Sequence, residues 1–159
     1  MKIRSSALGF TLMELILVVV LLSILSLFAA SRFMGSSSFS AYTLQERVIS
    51  VIRQVQVNRM QSNVASPDNN FRLQVSSSCV GSVAACELTG SAQDARSDVV
   101  IDKSAKFSVI SGAANTTNFN LLGNPVSGAV NILIEDKHGR SRCQVEINSQ
   151  GYVSKGTCS

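Results

Sequence analysis

Gly9-Phe10-Thr11-Leu12-Met13-Glu14-Leu15-Ile16-Leu17-Val18-Val19-Val20-Leu21-Leu22-Ser23-Ile24-Leu25-Ser26-Leu27-Phe28-Ala29-Ala30 is the stretch that decides the fold. Between Phe10 and Ala30 the only ionisable side chain is Glu14. A helix of this length, at about 1.5 Å per residue, spans roughly 30 Å, the thickness of a bilayer's hydrocarbon core. The run therefore predicts a membrane-spanning helix over residues 10–32. Lys2 and Arg4 precede it and Arg32 follows. That excess of basic residues on the leading side places the short N-terminus in the cytoplasm and the rest of the chain outside.

Outward from this stretch the chain changes character. The 159 residues are 45% apolar and 15% charged, but the long aliphatics are densest before residue 31, so these values average a greasy segment and a more polar remainder. A single His and no Trp leave little for imidazole chemistry or an aromatic binding platform, so an enzyme is disfavoured. The net charge of +4 is spread without a Lys/Arg run, which makes nucleic acid a disfavoured partner. His138 sits in a turn between Lys137 and Gly139 with no second His, Asp94, Asp98 and Asp102 read as unrelated charges, and no metal or cofactor is expected.

A secretory signal peptide competes for the N-terminal segment, because Ala29-Ala30-Ser31 resembles a small-residue cleavage site. The apolar run exceeds the roughly 7 to 15 residues of such a signal, and Glu14 lies within its first turn. A carboxylate in a membrane span costs about 2.5–3.5 kcal/mol at the centre and less near an interface, so it calls for a partner. If the chain were cut after Gly9, a free amine on Phe10 would lie four residues before Glu14, where an acidic group is well placed.

After Gly35-Ser36-Ser37-Ser38, a weak point read equally as a local defect or as the place where the helix leaves lipid, Leu44, Val48, Val51, Ile52 and Val55 mark one helical face. Glu46, Arg47, Arg53, Gln54, Gln56, Asn58 and Arg59 form the expected polar face. Ser66-Pro67-Asp68-Asn69-Asn70 ends the helix near Asn63. Beyond it the period becomes that of strands: Phe71–Val75, Val99–Ile101, Phe107–Val109, Phe119–Leu121, Ala129–Glu135, Ser141–Asn148 and Tyr152–Lys155, with turns at 136–139 and 149–151. The expected fold is α+β, a long N-terminal helix packed on a C-terminal antiparallel sheet.

Cys79, Cys86, Cys143 and Cys158 are an even set, all beyond the apolar run and without metal-type spacing, which fits an oxidising compartment. Of the three pairings, 79 with 86 and 143 with 158 is favoured. The first pair brackets a small loop, Val80 to Ala85, and a hairpin near residues 149–150 brings the second together.

Gly9-Phe10-Thr11-Leu12-Met13-Glu14-Leu15, after a basic leader and before an aliphatic run, resembles the class III signal of type IV pilins and type II secretion pseudopilins. The resemblance implies that a prepilin peptidase cleaves between Gly9 and Phe10 and methylates the Phe10 amine. It implies that Glu14 pairs with the N-terminal amine of a neighbouring pilin subunit, and that an inner-membrane assembly platform is a further partner. The C-terminal cysteine pair is similar to the disulfide that staples the last strands of many pilins. Many pilins carry a Pro some twenty residues into the mature helix, where this chain has Ser31.

The segments Phe119-Asn120-Leu121-Leu122-Gly123-Asn124-Pro125, Val145-Glu146-Ile147 and Gln150-Gly151-Tyr152-Val153 resemble GspH-like minor pseudopilins. Arg32-Phe33 and Ser38-Phe39-Ser40-Ala41-Tyr42 are similar to a minor pilin of the mannose-sensitive haemagglutinin (MSHA) pilus. The organisation these readings give is a cleaved leader over 1–9, a transmembrane and assembly helix over 10–32, an amphipathic stem over 33–66 and a periplasmic head over 67–159. The expected function is that of a minor type IV pilin, anchored in the inner membrane before it joins or primes a filament. The alternatives are a secretion pseudopilin and a ligand-binding tip subunit for adhesion or DNA uptake.

Overall fold

The computed structural model describes residues 11–33, 36–112 and 114–159, with the side chains of 27–40 outside that description. The chain divides into two compact units, Met1–Ser36 and Ser37–Ser159.

The described part of the first unit is α1, Leu12–Phe33. Thr11 Oγ1 accepts a hydrogen bond from Glu14 N–H at 3.3 Å. It thereby occupies one of the donors that a helix start leaves without an internal partner. Among the described residues no helix is long and apolar enough to cross a membrane. The side chains of α1 are described only to Ser26, a run shorter than the roughly 20 apolar residues a crossing takes. The expected span over 10–32 extends past it at both ends.

The second unit is built on α2, Ser36–Gln61. The helix stops two residues short of the expected Asn63, and Ser62 N–H and Oγ both bond to Arg59 O, at 3.1 and 2.7 Å. All five residues of the expected apolar face are buried, together with Ala41 and Ile49. The expected polar face is narrower than its sequence implied: Gln56 and Arg59 are buried, as is Gln45 beside them.

Among the described residues eight strands follow, in two four-stranded antiparallel sheets where the sequence predicted one. The first sheet holds β1 (Arg72–Val75), β2 (Cys79–Ser82), β3 (Val99–Ile101) and β5 (Thr116–Asn118), in the order β3-β2-β1-β5. The second holds β4 (Ala105–Ser111), β6 (Val130–Asp136), β7 (Arg142–Ile147) and β8 (Val153–Cys158), in the order β4-β6-β7-β8. The sheets separate at the turn after β3. There Asp102 Oδ1 accepts from Ser104 N–H at 2.7 Å, and Ser104 O accepts from Lys137 N–H at 2.7 Å, so β4 is delivered to β6 and not back to β3.

Both sheets and α2 share one core. Val130, Ile132 and Ile134 of β6 alternate with half-buried residues and meet Val145 and Ile147 of β7 and Val48, Ile52 and Val55 of α2, while Leu73, Val75, Val80 and Val100 complete it from the first sheet. Burying each such side chain fully contributes about 1.5–3 kcal/mol, and the period-two pattern fixes the strand register, because a one-residue slip would turn the buried set to solvent.

One strand expectation and one loop expectation need correction. Phe119-Asn120-Leu121 is not a strand: Phe119 makes a single bridge to Pro125, and Asn120 Oδ1 accepts from Leu122 N–H and Asn124 N–H at 2.9 and 3.0 Å, which bends the chain into a turn. The strand lies just before it, at β5. Val80 to Ala85 is not a loop either. Its first half is β2, and Ser82 Oγ then accepts from Ala85 N–H at 3.1 Å to start the short α3, Val83–Cys86. A second short helix, α4, covers Ser91–Asp94.

Candidate assembly surface and the elements that hold the head

Every side chain from Thr11 to Ser26 is exposed, and the large apolar ones range from 41% exposed at Val18 to 76% at Leu12. A helix that is apolar all round belongs in an apolar environment, a large protein core or a membrane. Its polar side chains behave accordingly. Ser23 Oγ donates to Val19 O at 2.8 Å and Ser26 Oγ to Leu22 O at 2.7 Å, so both hydroxyls are satisfied within the helix and neither needs water. Met13, Ile16, Leu17, Val20 and Leu21 line one shallow apolar groove, at the i, i+3, i+4, i+7, i+8 spacing of a single helical face.

Glu14 is the exception on this surface. It is the only ionisable side chain of α1 before Arg32, and it is exposed. Thr11 and Glu14 together form the T-x-x-E pattern of a helix start, a signal legible in the sequence and one that gives Glu14 a local place at the third position of α1. Gly9 and Phe10, the expected cleavage and methylation residues, lie outside the described residues.

The cysteines pair as favoured from sequence, Cys79 with Cys86 and Cys143 with Cys158. Cys143 and Cys158 stand directly opposite each other in the β7–β8 register, because β8 runs three residues past the expected Lys155 and includes Cys158. A register shift between Cys143 and Val145 leaves two carbonyls to be satisfied from outside the ladder. Gln45 Nε2 serves both, donating to Gln144 O at 2.6 Å and Gly156 O at 3.2 Å. Position 156 admits only glycine there, since a Cβ would lie 2.7 Å from Gln144 Cβ.

Gln45 is one of a row of polar α2 side chains that bond to backbone carbonyls outside the helix. Arg53 Nη2 donates to Val153 O at 2.9 Å, and Gln56 Nε2 to Gly123 O and Gly151 O at 2.9 and 2.8 Å. Arg59 donates to Phe119 O, Val64 O and Ala65 O. Long amide and guanidinium side chains can leave a helix stripe that reads as polar and still end on buried carbonyls.

The remaining titratable candidates fall into separate local roles. Asp98 is buried and takes two hydrogen bonds from Arg96, at 2.8 Å each. Burial pushes its carboxyl up, but bonds from Arg96 and Ser82 and the Arg96 charge outweigh this and hold it below the usual carboxylate range. Asp94 ends α4, and Asp102 caps the turn before β4, so the three aspartates do not share a site. His138 lies in the β6–β7 turn, where its backbone N–H donates to Asp136 Oδ1 at 2.6 Å. Among the described residues no three His, Cys, Asp or Glu side chains are grouped to hold a metal ion.

No family model, curated protein or solved structure matches the chain.

Proposed function

We propose that the chain is a minor subunit of a type IV pilus or of the related type II secretion pseudopilus, with no catalytic activity of its own. One observation carries the proposal: α1 exposes apolar side chains on all sides and bears a lone carboxylate, Glu14, at its third position, four residues after Phe10. Such a helix is stable in lipid or inside a bundle of like helices.

In this reading the precursor sits in the inner membrane with the head in the periplasm. Prepilin peptidase removes residues 1–9 and methylates the Phe10 amine. Transfer of α1 from lipid into a helical bundle exchanges one apolar environment for another, so hydrophobic burial gives little net drive. Direction and register come from pairing Glu14 with the amine of a neighbouring subunit and from contacts between heads. The stretches similar to an MSHA minor pilin favour a pilus over a secretion pseudopilus.

Replacing Glu14 by Ala tests the assignment. The expected result is a precursor that still inserts and is processed but is largely absent from sheared filaments. Incorporation at the level of the unaltered chain would contradict the role given to Glu14.

A further inference from the structure

β3 ends the first sheet, and its pairing shows which of its backbone groups are in use. Ser82 N–H donates to Asp98 O at 3.0 Å, and Val80 stands opposite Val100. By antiparallel alternation Asp98 and Val100 bond to β2, whereas the N–H and C=O groups of Val99 and Ile101 point away from it. Of the two end strands of the other sheet, β8 is handled differently: α2 covers it through Arg53 on Val153 O and Gln45 on Gly156 O. Among the described residues no side chain is bonded in this way to Val99 or Ile101.

These two residues line an open groove. Arg47 of α2, Gln93, Asp94 and Arg96 bound its end beside Val99 and Ile101, a space of ≈ 140 Å³. The groove continues along α2 past Ser50 and Val51 for a further ≈ 300 Å³. Gln54 Nε2 donates to Ser97 Oγ at 2.8 Å and closes it at that point. What stays open is a short run of unpaired strand edge between two walls. Arg96 is committed to Asp98. Arg47 on one wall and Asp94 on the other have no ion-pair partner among the described residues.

We propose that β3 accepts an extended segment of a partner protein as an added strand, the segment carrying an acidic side chain for Arg47 and a basic one for Asp94. Backbone bonds to Val99 and Ile101 supply the attachment, and the two ionic contacts supply the selection. A three-residue edge is short, a device that ordinarily discourages pairing, so selection by charge decides which segment is taken, and the complex weakens as salt rises. The proposal concerns the unit Ser37–Ser159 and does not rest on the filament reading.

The test uses the full chain in detergent micelles and a phage-displayed library of random seven-residue peptides. Peptides containing both Asp/Glu and Lys/Arg are expected to be enriched at least tenfold over selection on Val99→Pro. That variant removes an outward N–H and leaves the β2 ladder intact, as edge positions permit, and an unchanged thermal midpoint verifies it. Ile101→Pro takes its place if Val99→Pro lowers the midpoint. Arg47→Glu is expected to abolish the acidic preference and Asp94→Lys the basic one. Equal enrichment on the chain and on the proline variant would overturn the proposal, and so would enriched peptides whose charges ignore both reversals.

Discussion

Arg59 Nε donates to the carbonyl oxygen of Phe119 at 3.0 Å, 60 residues further along the chain. This bond ties the end of α2 to the turn that follows the first sheet. The same guanidinium reaches Val64 O at 2.8 Å and Ala65 O at 3.2 Å, and only 3% of the residue is exposed. Arg59→Ala leaves these carbonyls without their donor. Phe119 O is the buried one of the three; a buried polar group so orphaned costs about 1–3 kcal/mol, and the expected loss is about 2 kcal/mol in urea unfolding of the full chain in micelles. A loss below about 1 kcal/mol would show that the link is dispensable.

The two disulfides close loops of unequal length, with sequence separations of 7 and 15. By chain entropy they contribute about 2.5 and about 3 kcal/mol. Replacing Cys143 and Cys158 together by Ser is expected to lower the calorimetric midpoint more than replacing Cys79 and Cys86. The reverse order would show that native contacts around the bonds outweigh loop closure.

Asp98 is held below the ordinary carboxylate range in the folded chain, its burial outweighed by bonds from Arg96 and Ser82 and by the Arg96 charge. Such a group gives stability that is complete above its unfolded value, about 3.9, and is lost as pH falls below that value through the folded one. The stability gap between the unaltered chain and Asp98→Asn is therefore expected to be constant from pH 7 to about 5 and to shrink from about pH 4 downward. Urea midpoints across this range measure it, and a gap independent of pH would contradict the assignment.

Much of the head was legible because its apolar residues keep strict periods. Val130, Ile132 and Ile134 alternate, and Leu44, Val48, Ile52 and Val55 recur at helical spacing, so β6 and the buried face of α2 followed from sequence alone. What escaped was set by bonds between distant residues. Nothing local to Arg59 or Gln56 distinguishes a solvated side chain from one that ends on Phe119 O or Gly151 O. Gly81 and Ser82 show little strand preference, and β2 forms because β1 and β3 flank it. The division into two sheets follows the pairing of β4 with the distant β6, which the Ser104–Lys137 bond extends into the flanking turns. In the first unit, the Thr11–Glu14 pattern was present in the sequence, and its geometry gives Glu14 a local place as well as the assembly role proposed for it.

The central claim is that α1 starts a mature subunit which leaves the membrane for a filament. N-terminal sequencing with intact-mass measurement of the protein recovered from its native host tests it most directly. The account predicts a first residue of N-methylated Phe10 and a mass lacking residues 1–9. A first residue of Ser31 or Arg32, the outcome of cleavage as a secretory signal, would contradict it.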